Sequence, residues 1–172
     1  RCSFTTTYGD GVCSAHWRRP ESRQATLCAS APRSGSGSDR APFRMKIGVF
    51  GGTFDPVHIG HLGIAEAARS SLDLEEVLVM PAGEPWLKAG QQVSAAYHRM
   101  AMVELAVARY PFLRASDIET RREGPTYTVD TLAELHRRLG PSTDLYLVLG
   151  TDSLIEIGRW HQPRQLFELS SL

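Results

Sequence analysis

Three short runs of the chain, KIGVF (46–50), EEVLVMPA (75–82) and LYLVLG (145–150), are apolar at nearly every position rather than at every second one. Successive side chains of a strand point to opposite sides of its sheet, so this pattern belongs to strands that are covered on both faces. Between the runs the period changes. HIGHLGIAEAARSSL carries Ile59, Leu62, Ile64, Ala65 and Ala68 at helical spacing, and SAAYHRMAMVELAVARY carries Met100, Val103, Leu105 and Val107 behind Ser94 as a cap. TVDTLAELHRRLG is a third helix, ended by Gly140. With FLRASDIE (112–119) as a further strand, the order is βαβαβαβα. That order predicts the α/β class, a doubly wound parallel sheet with helices on either side. Ligands of such sheets bind at the carboxyl ends of the strands, which directs attention to the loops after KIGVF, LVMPA and LYLVLG.

The chain has 172 residues, enough for one domain with a real core. Residues 1–44 stand apart: SAPRSGSGSDRAP and its surroundings show no period of 2 or 3.6, so they are expected to form a disordered extension. The segment holds seven Arg and three acids and begins with Arg1, while Met45 stands just ahead of the first strand. A leader is the reading, with a targeting segment as the alternative. Residues 45–172 form the expected folded domain. All three cysteines, Cys2, Cys13 and Cys28, lie in the first block, spaced for neither a metal knuckle nor an even disulfide framework. A cysteine-free core suits a reducing, cytoplasmic compartment. Formal net charge is +0, which argues against a nucleic-acid partner held by bulk electrostatics. No run approaches the ~18 apolar residues of a membrane span.

The loop after KIGVF holds the chemistry. Gly51 and Gly52 let backbone amides approach a ligand closely, and the helix that follows aims its positive end at the same place, which makes an anion site. His58 and His61 are three apart on the first helical turn and share a face, with Gly60 leaving the backbone uncrowded. Imidazoles there, with an ordinary pKa of about 6.5, can donate to phosphate oxygens as negative charge develops. A metal pair is the competing reading; it more often uses i, i+4 spacing and wants a further ligand.

The segment GGTFDPVHIGH, with His58-Ile59-Gly60-His61 preceded by Gly52-Thr53-Phe54-Asp55-Pro56, resembles the T/H-x-G-H signature of the nucleotidylyltransferase superfamily. Its members join a nucleoside triphosphate to a phosphate-bearing acceptor and release pyrophosphate, chemistry carried by positioning and charge stabilisation. GPTYTVDTL (124–132), LVLGTDSL (147–154) and RWHQPRQL (159–166) are similar to the corresponding segments of bacterial nicotinate-nucleotide adenylyltransferases, and the resemblance runs from Met45 to Leu172. It implies a Rossmann-like nucleotidylyltransferase fold and transfer of AMP from ATP to nicotinate mononucleotide, a step of NAD synthesis. It further implies His58, His61 and Lys88 as catalytic groups. Gly51, Gly52, Thr53, Phe54, Gly150 and Asp152 would join the histidines in ATP binding, and Thr128 and Trp160 would hold the pyridine nucleotide. Magnesium is expected on the ATP rather than in a protein cage, and no metal site is assigned.

Other residues carry plainer expectations. Asp152 is also read as the N-cap of SLIEIGRW, Tyr127 and Trp86 as packing, His136 as a solvated helix end, and Arg99 as reaching either the site or solvent. Relatives of this kind continue to a further strand and a Ser/Thr-rich phosphate-binding segment, whereas this chain stops at FELSSL. A fragment of reduced or no activity is therefore an alternative, as is another adenylyl- or cytidylyltransferase such as phosphopantetheine adenylyltransferase. The sequence leaves oligomeric state open, and with it the choice between nicotinate and nicotinamide mononucleotide.

Overall fold

The computed structural model describes residues 44–172 apart from 89. The expected extension therefore lies outside the described residues except for Arg44. Four strands, Met45–Gly52 (β1), Glu76–Pro81 (β2), Leu113–Ala115 (β3) and Thr143–Leu147 (β4), form one parallel sheet in the order β3-β2-β1-β4. The helices Ile59–Leu72 (α1), Ala96–Val107 (α2) and Thr128–Leu139 (α3) connect them. Thr151–Glu156 (α4) and Pro163–Leu169 (α5) follow the last strand.

The alternation of side chains in the strands separates two cores. Ile47, Val49, Leu78, Met80, Leu145 and Leu147 face α3 and α5 through Leu132, Leu135 and Leu166. Phe50, Val77, Val79 and Leu113 face α1 and α2 through Ala65, Val103 and Val107. This is the doubly wound sheet that the apolar runs predict. Right-handed crossovers explain the two sides: β1 to β2 to β3 moves one way across the sheet, and the return to β4 at the other edge carries α3 over the opposite face.

Several local expectations change. FLRASDIE forms only the three-residue β3, and residues 117–121 turn instead. Ile59 is 81% exposed and Leu105 79%, so α1 presents Leu62, Ala65, Ala68 and Leu72 to the core, and α2 presents Val103 and Val107. Ser94 does not cap α2, whose N-cap is Ala95; the Ser94 N–H instead donates to Asp55 Oδ2 at 2.7 Å. SLIEIGRW breaks into α4 and a 3₁₀ turn, Ile157–Arg159. The N-cap of α4 is Gly150, with Asp152 inside its first turn. His136 is partly buried, and its Nε2–H donates to the Leu169 carbonyl at 2.7 Å, tying α3 to the end of α5. No helix among the described residues is long and apolar enough to cross a membrane.

Candidate active site

The strand order reverses between β1 and β4, and the loops that leave the carboxyl ends of these two neighbours diverge around a crevice. β1 outruns its partner there: Val49 is its last residue registered on β4, while Gly51 and Gly52 stay registered on Met80 and Pro81 of β2. Gly51 is consequently open on the crevice side, and an added Cβ would meet nothing within 4 Å. Gly52 is constrained differently. A Cβ there would lie 2.9 Å from the Phe54 ring.

Phe54 is only 2% exposed and belongs to the core under the loop. Its ring centroid is 4.9 Å from that of His61, edge to face, and 5.4 Å from that of Phe50. The Phe54 side chain is thus a floor beneath the His61 ring, which leaves its backbone as the part of the residue that lies in the loop. Its backbone lies in the left-handed region, at φ 50.

His58 is the N-cap of α1 rather than a residue of its first turn, and His61 occupies the third helical position. The rings stack with centroids 3.7 Å apart. The His58 N–H donates to His61 Nδ1 at 3.2 Å. An Nδ1 that accepts is unprotonated, so the neutral ring carries its proton on Nε2, on the far side from the backbone. The ring therefore presents a donor. Burial lowers the His61 pKa below its ordinary 6.5, His58 lowers it further, and the carboxylate of Asp152 partly opposes both. Gly60 is needed where it stands, since a Cβ would approach His58 Nδ1 to 3.1 Å.

From the β4 side, Asp152 folds back over Gly150, where a Cβ would sit 2.6 Å from Asp152 Oδ1. Its carboxylate acts on the His61 ring, raising its pKa. Lys88 is exposed at the end of a 3₁₀ turn, Trp86–Lys88, after β2, and its charge acts on Asp55. The Asp55 carboxyl is held below its ordinary value first by the Ser94 backbone N–H, with Arg99 and Lys88 adding to the effect.

An aromatic group lies near the start of α3. Tyr127 stacks on His161 with centroids 4.3 Å apart, and Trp86 lies tilted against Tyr127 at 6.1 Å. Thr128 opens α3 and is half-buried. Trp160 packs against the α3 core, and its indole Nε1 is buried without a partner among the described residues. His161 was not singled out by sequence reasoning; its neighbour Trp160 was the only local signal.

Arg99 reaches neither the crevice nor solvent. It is 1% exposed and donates to three carbonyls, Nε to Ser94 at 2.8 Å, Nη1 to Thr53 at 2.9 Å and Nη2 to Gly83 at 2.8 Å. Nothing in local periodicity marks such a clamp. Among the described residues no group of three or more His, Cys, Asp or Glu side chains is arranged to hold a metal ion.

Residues 49–172 match the family model described as cytidylyltransferase-like. The chain is 44% identical over 128 residues to a protein of Dehalococcoides mccartyi named "Probable nicotinate-nucleotide adenylyltransferase", covering 74% of this chain and 63% of that one. A Mycobacterium tuberculosis protein of the same name is 48% identical over 124 residues, covering 72% and 57%. The chain spans about six-tenths of the length of these curated relatives. Among solved structures, Plasmodium falciparum nicotinic acid mononucleotide adenylyltransferase complexed with NaAD aligns with a TM-score of 0.62 at 21% identity, over 72% of this chain and 60% of that one, which is a likeness of fold.

Proposed function

We propose, for a chain that belongs to the cytidylyltransferase-like family, that it transfers the adenylyl group of MgATP to nicotinate mononucleotide, giving nicotinate adenine dinucleotide and pyrophosphate. The observation that carries this reading is the His58–His61 pair at the amino end of α1, one ring nitrogen tied to the helix and the other left as a donor. The names of the relatives support the choice of acceptor within the family. An oxygen of the acceptor's phosphate forms the new bond to the α-phosphorus, and the α–β bridging P–O bond breaks with its electron pair leaving on pyrophosphate. No group of the protein need act as nucleophile. The barrier is lowered by alignment and by donors aimed where charge grows on the triphosphate.

In this reading His61 Nε2–H and the His58 ring donate to the triphosphate, and the Gly51 backbone lies beside it at the positive end of the fourteen-residue α1. Lys88 adds a mobile positive charge from the loop after β2, and Gly150 with Asp152 borders the nucleoside. Thr128 and Trp160, beside the Tyr127–His161 stack, would receive the pyridine ring. Magnesium enters as part of the MgATP substrate. The cysteine-free region 45–172 suits a reducing cytoplasm.

The test is pyrophosphate release from MgATP with nicotinate mononucleotide, nicotinamide mononucleotide or phosphopantetheine as acceptor, beside His61→Ala. Turnover with the first, reduced about 100-fold or more by the substitution, is expected on the scale of a lost transition-state donor. Binding of ATP without turnover on any acceptor would overturn the reading for this chain.

A further inference from the structure

We infer that Arg99 is a positioning residue that sets the distance between the Gly51–His61 loop and the Gly124–Thr128 loop, by fastening both to the two-residue segment Gly83–Glu84. The inference rests on the adenylyl-transfer reading above, which assigns the first loop to the triphosphate and the second to the acceptor.

The chain of contacts is short. One arm of the guanidinium holds the Thr53 carbonyl, inside the first loop, and the other holds the Gly83 carbonyl. The next residue, Glu84, forms an isolated parallel bridge with Pro125, and its carbonyl accepts the Thr126 N–H at 3.3 Å. Two loops far apart in sequence are therefore joined through the Arg99 side chain and the Gly83–Glu84 segment, beside the backbone bond from the Ala82 N–H to the Gly52 carbonyl at 2.8 Å. The join has little room to give. An added Cβ on Gly83 would fall 2.4 Å from the Glu119 carbonyl, so the segment lies flush against the turn after β3, where the buried Glu119 carboxylate accepts the Thr131 hydroxyl at 2.9 Å.

The chemistry of Arg99 points the same way. A buried guanidinium is costly, and an apolar side chain would fill its place at less cost if packing were its whole task. Its three bonds go to main-chain carbonyls rather than to a carboxylate. A rigid planar fork fixes their mutual spacing as a flexible ammonium does not. Asp55 supplies the compensating negative charge indirectly, through the Ser94 N–H that it accepts. In a reaction governed by alignment, a displacement of one substrate loop against the other raises the barrier without weakening the binding of either substrate.

Steady-state kinetics of Arg99→Ala and Arg99→Lys test this. For both variants kcat should fall about 100-fold, with the KM for each substrate little changed. Free guanidinium ion in millimolar amounts should restore part of kcat to Arg99→Ala and none to Arg99→Lys, whose ammonium fills the site but reaches fewer carbonyls. An unchanged kcat, a loss confined to KM, or failure of both variants to fold would overturn the inference. If the wild-type chain shows no turnover, the reading of the activity fails separately, and amide hydrogen exchange decides about Arg99. A real clamp exposes the Ala82 amide, which donates to Gly52, and the Thr126 amide together in Arg99→Lys, whereas loss of protection at Ala82 alone would sink it.

Discussion

Two demands meet on the ring of His61. Its Nδ1 accepts the His58 N–H and so helps to start α1, and its edge faces Phe54, which leaves only Nε2 for a ligand. Since burial favours the neutral ring, donation from Nε2 needs no extra proton at neutral pH. The folded-state value lies below the ordinary 6.5, so the ring's contribution to stability is present above that pH and is lost as pH falls through the depressed value. We predict an NMR titration midpoint for His61 below 6.5, moved further down by Asp152→Asn and back up by His58→Gln, because the carboxylate favours the imidazolium and the second histidine disfavours it. A midpoint insensitive to both substitutions would separate His61 from the two loops that flank it here. The tautomer of such a ring is set by a backbone donor three residues away, which the spacing of two histidines suggests and does not fix.

Helices hold the site in place through contacts that the sequence hardly announces. Their existence was legible: α1, α2 and α3 each begin and end within two or three residues of the periodic stretch that predicts them. Which face each buries was less so, since Ile59 and Leu105 satisfy a helical period on paper and yet face outward. A period identifies a stripe, but the stripe that is covered depends on where the sheet lies. His136 shows the same limit, for a basic residue in a last turn suits the helix dipole whether or not a distant carbonyl also claims it. Its bond to Leu169 is one of the links between α3 and α5. His136→Ala should destabilise the protein by about 1 kcal/mol, the worth of a typical hydrogen bond. Amide exchange in Pro163–Leu169 should quicken while α1 is unaffected, and unchanged exchange there would remove His136 from the account.

The molecule divides along its sheet. One core lies under α3 and α5 and the other under α1 and α2, and Leu132 and Val103 are fully buried in the two respectively. Leu132→Ala should cost about 2–5 kcal/mol and Val103→Ala less, by lost burial and residual cavity. Because the substitutions act on opposite faces with no shared partners, the double variant should equal the sum within about 0.5 kcal/mol in denaturant unfolding. Marked non-additivity would mean that the sheet transmits strain between its faces. This layering, and the crevice at the point where strand order reverses, followed from the apolar runs because both are set by backbone period and the handedness of crossovers. The clamp at Arg99 did not, since it joins carbonyls supplied by the loops that follow β1 and β2. The crossover from β3 to β4 has one more consequence. It contains the whole Gly124–Thr128 loop, whereas the histidine pair hangs from the central strand β1. A descendant of this chain can thus acquire a different acceptor by local edits to residues 116–128 and to Trp160 and His161, provided that residue 126 keeps its amide on Glu84. Changing the recipient is then a small evolutionary step that inherits the old catalyst intact.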